Sequence, residues 1–420
     1  MQTIHQAVQY MENHEYEKAL QLLNEHLEQA TDDEKFTIAH LYRQWGFLQQ
    51  AKPILEDLML SYPNEGELKT MLADIYIELE DDEAAIQLLN DVHEDDPFYV
   101  ETLLQLADLY EAQGLYEVAE SKLLTAKRHR PDEPIIDFAL GELNFFTGHY
   151  QRAINHYERI KPYMETIGDV SIIERLAEAY AGIGEYEMAL QFFEDISNDD
   201  PDILFKHGLT AYYAGEKSIA IHQWKRVIEY DKYYHTVYFY LAKVYHDEGL
   251  IEEAYDVAEE GLKVDSFNKE LYELSGRLAQ QLGYEERSEE FFQMAVKLDP
   301  EYKEAVIHLI ELFKRKYQDE KIIHLLKDIQ KKGANDPLYD WELARASKEL
   351  EDYSDALHFY QRAYPHLKYD GNFLKEYAYF LVEEGRVDEA LSLLTAYLKL
   401  EPLDDEVEAY VERLRQDDDL

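Results

Sequence analysis

The sequence predicts an all-α chain: a right-handed superhelical solenoid of about twelve helical hairpins with a C-terminal cap helix. Three observations carry the helical-repeat reading. Gly (17) and Pro (11) are scarce among 420 residues, whereas Leu, Glu and Ala, all good helix formers, are abundant. A small residue recurs along almost the whole chain at a spacing that is mostly 34. Many of the Gly and Pro that do occur fall at two recurring places within that period, where a helix must turn or stop.

The units follow in order from that small residue. It is Ala19, Ala51, Ala85, Ala119, Ala153, Ala189, Ala220, Ala254, Ser288, Ile322, Ala356 and Ala390. Twelve positions earlier stands a second small residue: Ala7, Ala39, Ala73, Ala107, Gly141, Ala177, Gly208, Ala242, Gly276, then Ile310 as the exception, then Ala344 and Ala378. Tyr10, Tyr42, Tyr76, Tyr110, Tyr180 and Tyr245 recur nine positions before it. Each period therefore reads as a first helix, a Gly-containing turn and a second helix. "GLYEVAESKLLTAKRHRP" (114–131) and "GEYEMALQFFEDISNDDP" (184–201) show the pattern well. The two small residues let the helix backbones approach, and a large residue four after the anchor fills the wedge between them. Pro63, Pro97, Pro131, Pro201, Pro300 and Pro402 cannot continue the second helix. One such hairpin cannot bury its apolar face alone, but a stack can. The segment at 404–416 reads as a solubilising cap helix.

Three places break the rhythm, besides a first unit two residues short. Two residues are extra between Ala153 and Ala189, near "PYMETIGDVS", and three are missing between Ala189 and Ala220. The unit around Ile322 lacks both small residues and the turn Gly, so its hairpin is expected to pack differently. A repeat array is held mainly by nearest-neighbour interfaces. Soft boundaries are expected near 168 and 303–337, dividing the chain into 1–168, 169–303 and 304–420.

This pattern resembles the tetratricopeptide repeat (TPR) family over nearly the whole chain. Within that family the sequence is similar to the YpiA-type TPR proteins of low-GC Gram-positive bacteria. The resemblance implies a superhelical solenoid that acts as a protein-binding adaptor or scaffold. It also implies that the first helix of each hairpin lines the concave groove.

Composition excludes several functions. A formal charge of −48 disfavours nucleic acid and anionic membrane surfaces, and suits high solubility or a basic partner. The absence of cysteine removes disulfides, thiolate zinc sites and thiol catalysis, and suits a reducing cytoplasm. No stretch approaches 18 apolar residues, so no membrane insertion is expected, and the N-terminus lacks the basic start and apolar run of a secretory leader. "AGIGEY" (181–186) follows a helix rather than a strand and reads as a hairpin turn, not a phosphate loop. The 16 histidines are scattered; His235 and His246 are too far apart to share ligand spacing. Neither an enzyme nor a cofactor, metal or obligatory small molecule is expected.

Specificity is expected on the first helices, at 15, 11, 8 and 7 positions before each anchor; the first three share one helical stripe. In the early units this stripe is acidic: Asp74, Glu78, Asp108, Glu111, Glu142, Glu174 and Glu178. It is aromatic in the middle, with Phe138, Phe145 and Phe146, then Phe205, Tyr212 and Tyr213, then Phe239. Late units turn basic, with Lys243, Arg277, Lys314, Arg315, Arg345, Lys348 and Lys375, plus Trp341. Ala181 and Gly182 stand between the two aromatic pairs and suggest the floor of a pocket. Such a groove would take a protein or peptide segment with an apolar or aromatic anchor and flanking charges. Two blander readings stay open. The aromatics could pack against adjacent helices, and the late cations could be solvated or ion-paired. A sensor of a short signalling peptide, or a chaperone-like assembly factor, is the alternative function. The inspected stripe shows no Asn before the twelfth unit, and the carboxylate-gripping Lys and Asn of such co-factors are missing; Phe36, His40, Thr70 and Asp74 stand in their places.

Overall fold

The computed structural model describes residues 1–418, which form twenty-five α-helices and one short β-hairpin. By packing, the chain divides into two units: Met1–Asn198 with Tyr213–Gly215, and Asp199–Tyr212 with the chain from Glu216 onward. In chain order the first carries α1 (Gln2–Glu12), α2 (Tyr16–Leu27), α3 (Asp32–Gln44), α4 (Leu48–Ser61), α5 (Gly66–Glu78) and α6 (Asp82–Asn90). There follow α7 (Tyr99–Ala112), α8 (Tyr116–His129), α9 (Pro134–Phe146), α10 (Tyr150–Ile160), β1 (Thr166–Ile167), β2 (Val170–Ser171), α11 (Ile172–Gly182) and α12 (Tyr186–Glu194). Next come α13 (Pro201–Ala214), α14 (Lys217–Tyr230), α15 (His235–Asp247), α16 (Ile251–Val264), α17 (Lys269–Gln281), α18 (Glu285–Leu298) and α19 (Lys303–Arg315). Then α20 (Asp319–Lys331), α21 (Pro337–Glu349), α22 (Tyr353–Leu367), α23 (Gly371–Glu383), α24 (Val387–Leu400) and α25 (Asp405–Asp418) complete the order. Helices α1–α24 make twelve hairpins, and α25 is the cap, seated through Val407 and Val411 on the second unit's core.

Every hairpin turns in the same way. A residue just past the end of the first helix is left-handed, and the next N–H bonds back to a carbonyl five residues earlier, as in Leu115 to Tyr110 (2.8 Å) and His149 to Asn144 (2.7 Å). In eight hairpins that left-handed residue is Gly, from Gly46 to Gly385; in the others it is His14, Glu80, Tyr317 or Glu351, all at positive φ. Before Ile322, where the sequence lacks the turn Gly, Tyr317 takes the left-handed place at φ 53°.

The anchors are fully buried, including Ser288 and Ile322. Volume is traded across each hairpin. Where the earlier small residue is Gly, the facing wedge residue is a large aromatic: Gly141 against Tyr157, Gly208 against Trp224, Gly276 against Phe292. Several hairpins with Ala there use Leu, as in Ala39 with Leu55 and Ala107 with Leu123. In the Ile322 hairpin both small sites are isoleucines, Ile310 and Ile322. Both are buried within the core cluster that runs from Phe292 to Val411, and the backbones of α19 and α20 lie in less close contact than those of the neighbouring hairpins.

The two extra residues build β1 and β2, paired Thr166 with Ser171 and Ile167 with Val170 around Gly168 (φ 57°), which delivers Ser171 as the N-cap of α11. The division in packing comes after Asn198, where three residues are missing and α12 is nine residues long against 14 for α8. A shorter second helix offers less surface to stack.

A candidate partner-binding cleft

Within the first unit, α7 and α9 are the first helices of consecutive hairpins. On α7, Leu104, Asp108, Glu111 and Ala112 follow at i, i+4, i+7 and i+8 and so share one face. On α9, Ile135, Phe138, Ala139, Glu142 and Phe146 do the same. With Tyr116 and Leu123 from α8 they line an open cleft of about 780 Å³. Hairpin stacking therefore gathers five residues of the expected stripe, Asp108, Glu111, Phe138, Glu142 and Phe146, into one cavity.

The two adjacent phenylalanines part company here. Phe146 remains 67% exposed, its ring 5.7 Å from that of Tyr116. Phe145 is spent on packing: it meets Tyr150 edge-on at 5.4 Å and carries the Arg175 guanidinium 5.0 Å above its face.

The acids part in the same manner. Glu142 accepts hydrogen bonds from the Tyr157 hydroxyl (2.5 Å) and from Arg175 Nε and Nη2 (2.9 and 3.1 Å). Glu178 lies 3.4 Å from the same arginine, and Asp74 is held by Arg43 and Gln105. Asp108 and Glu111 have no basic partner among the described residues. Asp108 is open to solvent at one side and crowded by protein on the others, and burial raises its carboxyl above the ordinary value. Glu111 is raised by burial first, then by Asp108 and Glu142. Two carboxylates are thus held beside an apolar wall with nothing to neutralise them.

The other expected residues have internal work. The Tyr150 ring occupies the space above Gly182: a Cβ there would lie 2.6 Å from it, so this glycine is small to admit a neighbour rather than to leave a floor beside the half-buried Ala181. Tyr213 stacks on Tyr186 at 5.7 Å. The Glu174 backbone N–H donates to the capping Ser171 Oγ (3.3 Å). In the second unit Phe205 lies among Trp224, Tyr234 and Tyr240 at 5.2–6.3 Å. The Tyr212 hydroxyl donates to Asp247 (2.6 Å), and Lys243 sits 5.5 Å over the Tyr212 ring. Phe239 packs edge-on to Tyr240.

Five cations of the late basic stripe are ion-paired within the protein. Arg277 pairs with Glu273 (2.7 Å), Lys314 with Glu342, Lys348 with Glu383 (2.7 Å) and Lys375 with Asp404 (2.8 Å). Arg345 chelates Glu376 at 2.6–2.9 Å, bonds Glu342 at 2.8 Å and lies 3.9 Å over Trp341. Trp341 itself is 7% exposed and donates Nε1–H to Glu376. These cations are neutralised within the protein. Sequence reasoning missed Arg175, Tyr116 and Ile135. Arg175 carried a signal, because it stands 33 residues after Glu142, about one repeat along the same face.

Among the described residues no three metal-ligating side chains converge, and no helix is long and apolar enough to cross a membrane.

Comparison with known proteins agrees with the repeat. The family described as "YpiA-like, tetratricopeptide repeats" matches residues 111–163, and "YpiA-like, C-terminal tetratricopeptide repeats" matches 337–404. General tetratricopeptide repeats match 46–99, 205–268 and 269–302. The "TPR repeat-containing protein YpiA" of Bacillus subtilis (strain 168) is 38% identical over 416 residues, covering 99% of this chain and 98% of that protein. Among solved structures, Naa15/Naa10 bound to HypK-THB aligns with TM-score 0.43 and 14% identity over 91% of this chain and 66% of that one. YrrB, "a TPR protein with an unusual peptide-binding site", aligns with TM-score 0.38 and 15% identity over 44% and 96%.

Proposed function

The chain belongs to the YpiA-like family of tetratricopeptide repeat proteins, and from that premise we propose that it is a non-catalytic cytoplasmic adaptor that docks a segment of a partner protein on its first-helix face. The cleft between α7 and α9 is the anchor point. One observation supports this most directly: Phe146 is a large aromatic kept 67% exposed beside a cavity, on a helix where its neighbour Phe145 found internal partners. Exposed aromatic anchors at the centre of a pocket carry a disproportionate share of binding energy at protein interfaces. A repeat scaffold supplies the rigid frame on which such a site can be presented.

The test is photo-crosslinking in the full chain. A benzophenone side chain at Phe146 is expected to capture a discrete partner in cells. The same group at Leu124, exposed on the second helix of the neighbouring hairpin, is expected not to. Equal labelling from both positions, or none from Phe146, would remove the cleft as the docking site.

A further inference from the structure

We infer that the cleft between α7 and α9 is built for a basic side chain, lysine or arginine, carried on an extended segment of the partner protein. This rests on the reading that a partner segment docks on that face, and it names the chemistry that face selects.

The lining has two halves. Phe138, Phe146 and Ile135 supply apolar and aromatic surface, with Ile135 and Phe146 both well exposed. Asp108 and Glu111 supply two carboxylates one turn apart on the facing helix, with no cation of their own among the described residues. A lysine or arginine matches both halves, since its aliphatic stem covers apolar surface while its head carries the charge. Arginine also stacks on aromatic faces.

Other occupants fit less well. A purely apolar side chain would seal the cleft over two carboxylates whose protonation is already favoured by crowding, and would desolvate them further with no compensation. An acidic side chain would add a third uncompensated charge. A metal ion would find only these two carboxylates free, because Glu142 is already satisfied by Arg175 and Tyr157. A neighbouring acid deepens the selection. The same first-helix face carries Glu78 on α5, so a cationic segment is drawn along it as well as into the cleft.

The probe is a positional-scanning library of extended, fluorescently tagged octapeptides, with each amino acid fixed in turn at each position. It is applied to the full chain and to two full-chain variants, Phe146→Ala and the double variant Asp108→Asn with Glu111→Gln. The expected result is selection of arginine or lysine at one position. Binding should weaken about tenfold or more in the double variant, and weaken as well in Phe146→Ala. Added salt should weaken the parent more than the double variant. Circular dichroism confirms that both variants fold.

Selection of a neutral apolar residue, lost in Phe146→Ala and kept in the double variant, overturns this inference and leaves docking in the cleft intact. Binding indifferent to both variants, or no peptide retained, overturns the docking reading and this inference together. A change of oligomeric state in Phe146→Ala without peptide selection assigns the cleft to a second copy of the chain and overturns the inference.

Discussion

Gly208 on α13 lies directly under the Trp224 indole of α14: a Cβ built on Gly208 would stand 2.5 Å from Trp224 Nε1, whose N–H donates to the Phe205 carbonyl at 3.2 Å. The missing methyl and the oversized ring are two halves of one packing solution. Gly208→Ala is expected to overpack the hairpin and destabilise it by about 1–3 kcal/mol. Trp224→Leu in the same chain should recover part of that loss, because it recreates the Ala–Leu pairing of Ala107 with Leu123. Amide hydrogen exchange localised to α13 and α14 measures both, since one global transition is not assured in a repeat array. Strictly additive losses would deny the pairing.

Tyr317 holds a left-handed conformation, φ 53°, with its side chain 89% exposed. The eight sister turns that use Gly show which residue this backbone prefers. Tyr317→Gly relieves the strain and removes no buried contact. It should stabilise that hairpin by about 0.5–1 kcal/mol after the added freedom of the unfolded chain is counted. The converse, Gly148→Ala at φ 77°, should destabilise by about 1 kcal/mol. Thermal denaturation of the two single variants suffices, and equal signs would contradict the strain argument.

These two pairs of residues show where sequence legibility stopped. The period, the hairpin count, the cap helix and the small anchors were readable because backbone approach permits few residues at those places. The missing turn Gly before Ile322 was readable too, but not that Tyr317 would take its left-handed place under strain. Exposure along the groove was read less well. Stripe positions alone cannot tell Phe146 from Phe145, or free Asp108 from satisfied Glu142. The deciding partners lie about one repeat away, as with Arg175 at 33 residues from Glu142 and Arg345 at 31 from Glu376. Opposite charges one period apart on the same face are a pattern that a sequence scan can find.

Asp108 is a group whose folded pKa is raised by burial. Such a carboxyl adds to stability below its unfolded pKa, and that contribution is lost as pH rises through the folded value. At neutral pH the ionised form is therefore a liability to the fold. Because Asp108 keeps much of its surface in water, screening keeps the effect small: Asp108→Asn is expected to stabilise the first unit at pH 7 by no more than about 0.5 kcal/mol, with the gain fading as the pH is lowered through the acid range. Urea midpoints across that range give the answer. A destabilised variant at pH 7 would mean that Asp108 has a structural partner after all.

Glu376 runs the opposite way. Burial pushes its carboxyl up, but Arg345, Trp341 and Tyr360 outweigh that and leave it below the ordinary carboxylate value. Its stabilising share is present above the unfolded pKa and lost as pH falls through the folded one. Glu376→Gln leaves the Arg345 guanidinium without its bidentate partner. It should destabilise α21–α23 by about 1–3 kcal/mol at pH 7 and by less in acid. Hydrogen exchange in those helices at two pH values distinguishes this from a loss that ignores pH.

Phe145 and Phe146 separate stability from recognition on adjacent residues. Phe145→Ala removes an edge-on contact with Tyr150 and a cation from above its face, and should destabilise the hairpin by about 1–2 kcal/mol. Phe146→Ala removes a ring that is 67% exposed and should stay within about 0.5 kcal/mol of the parent. Capture of the crosslinked partner is expected to reverse that order, with Phe146→Ala the more damaging. If both substitutions cost stability equally and Phe146→Ala leaves capture intact, the exposed ring is packing surface and the cleft is not where the partner docks.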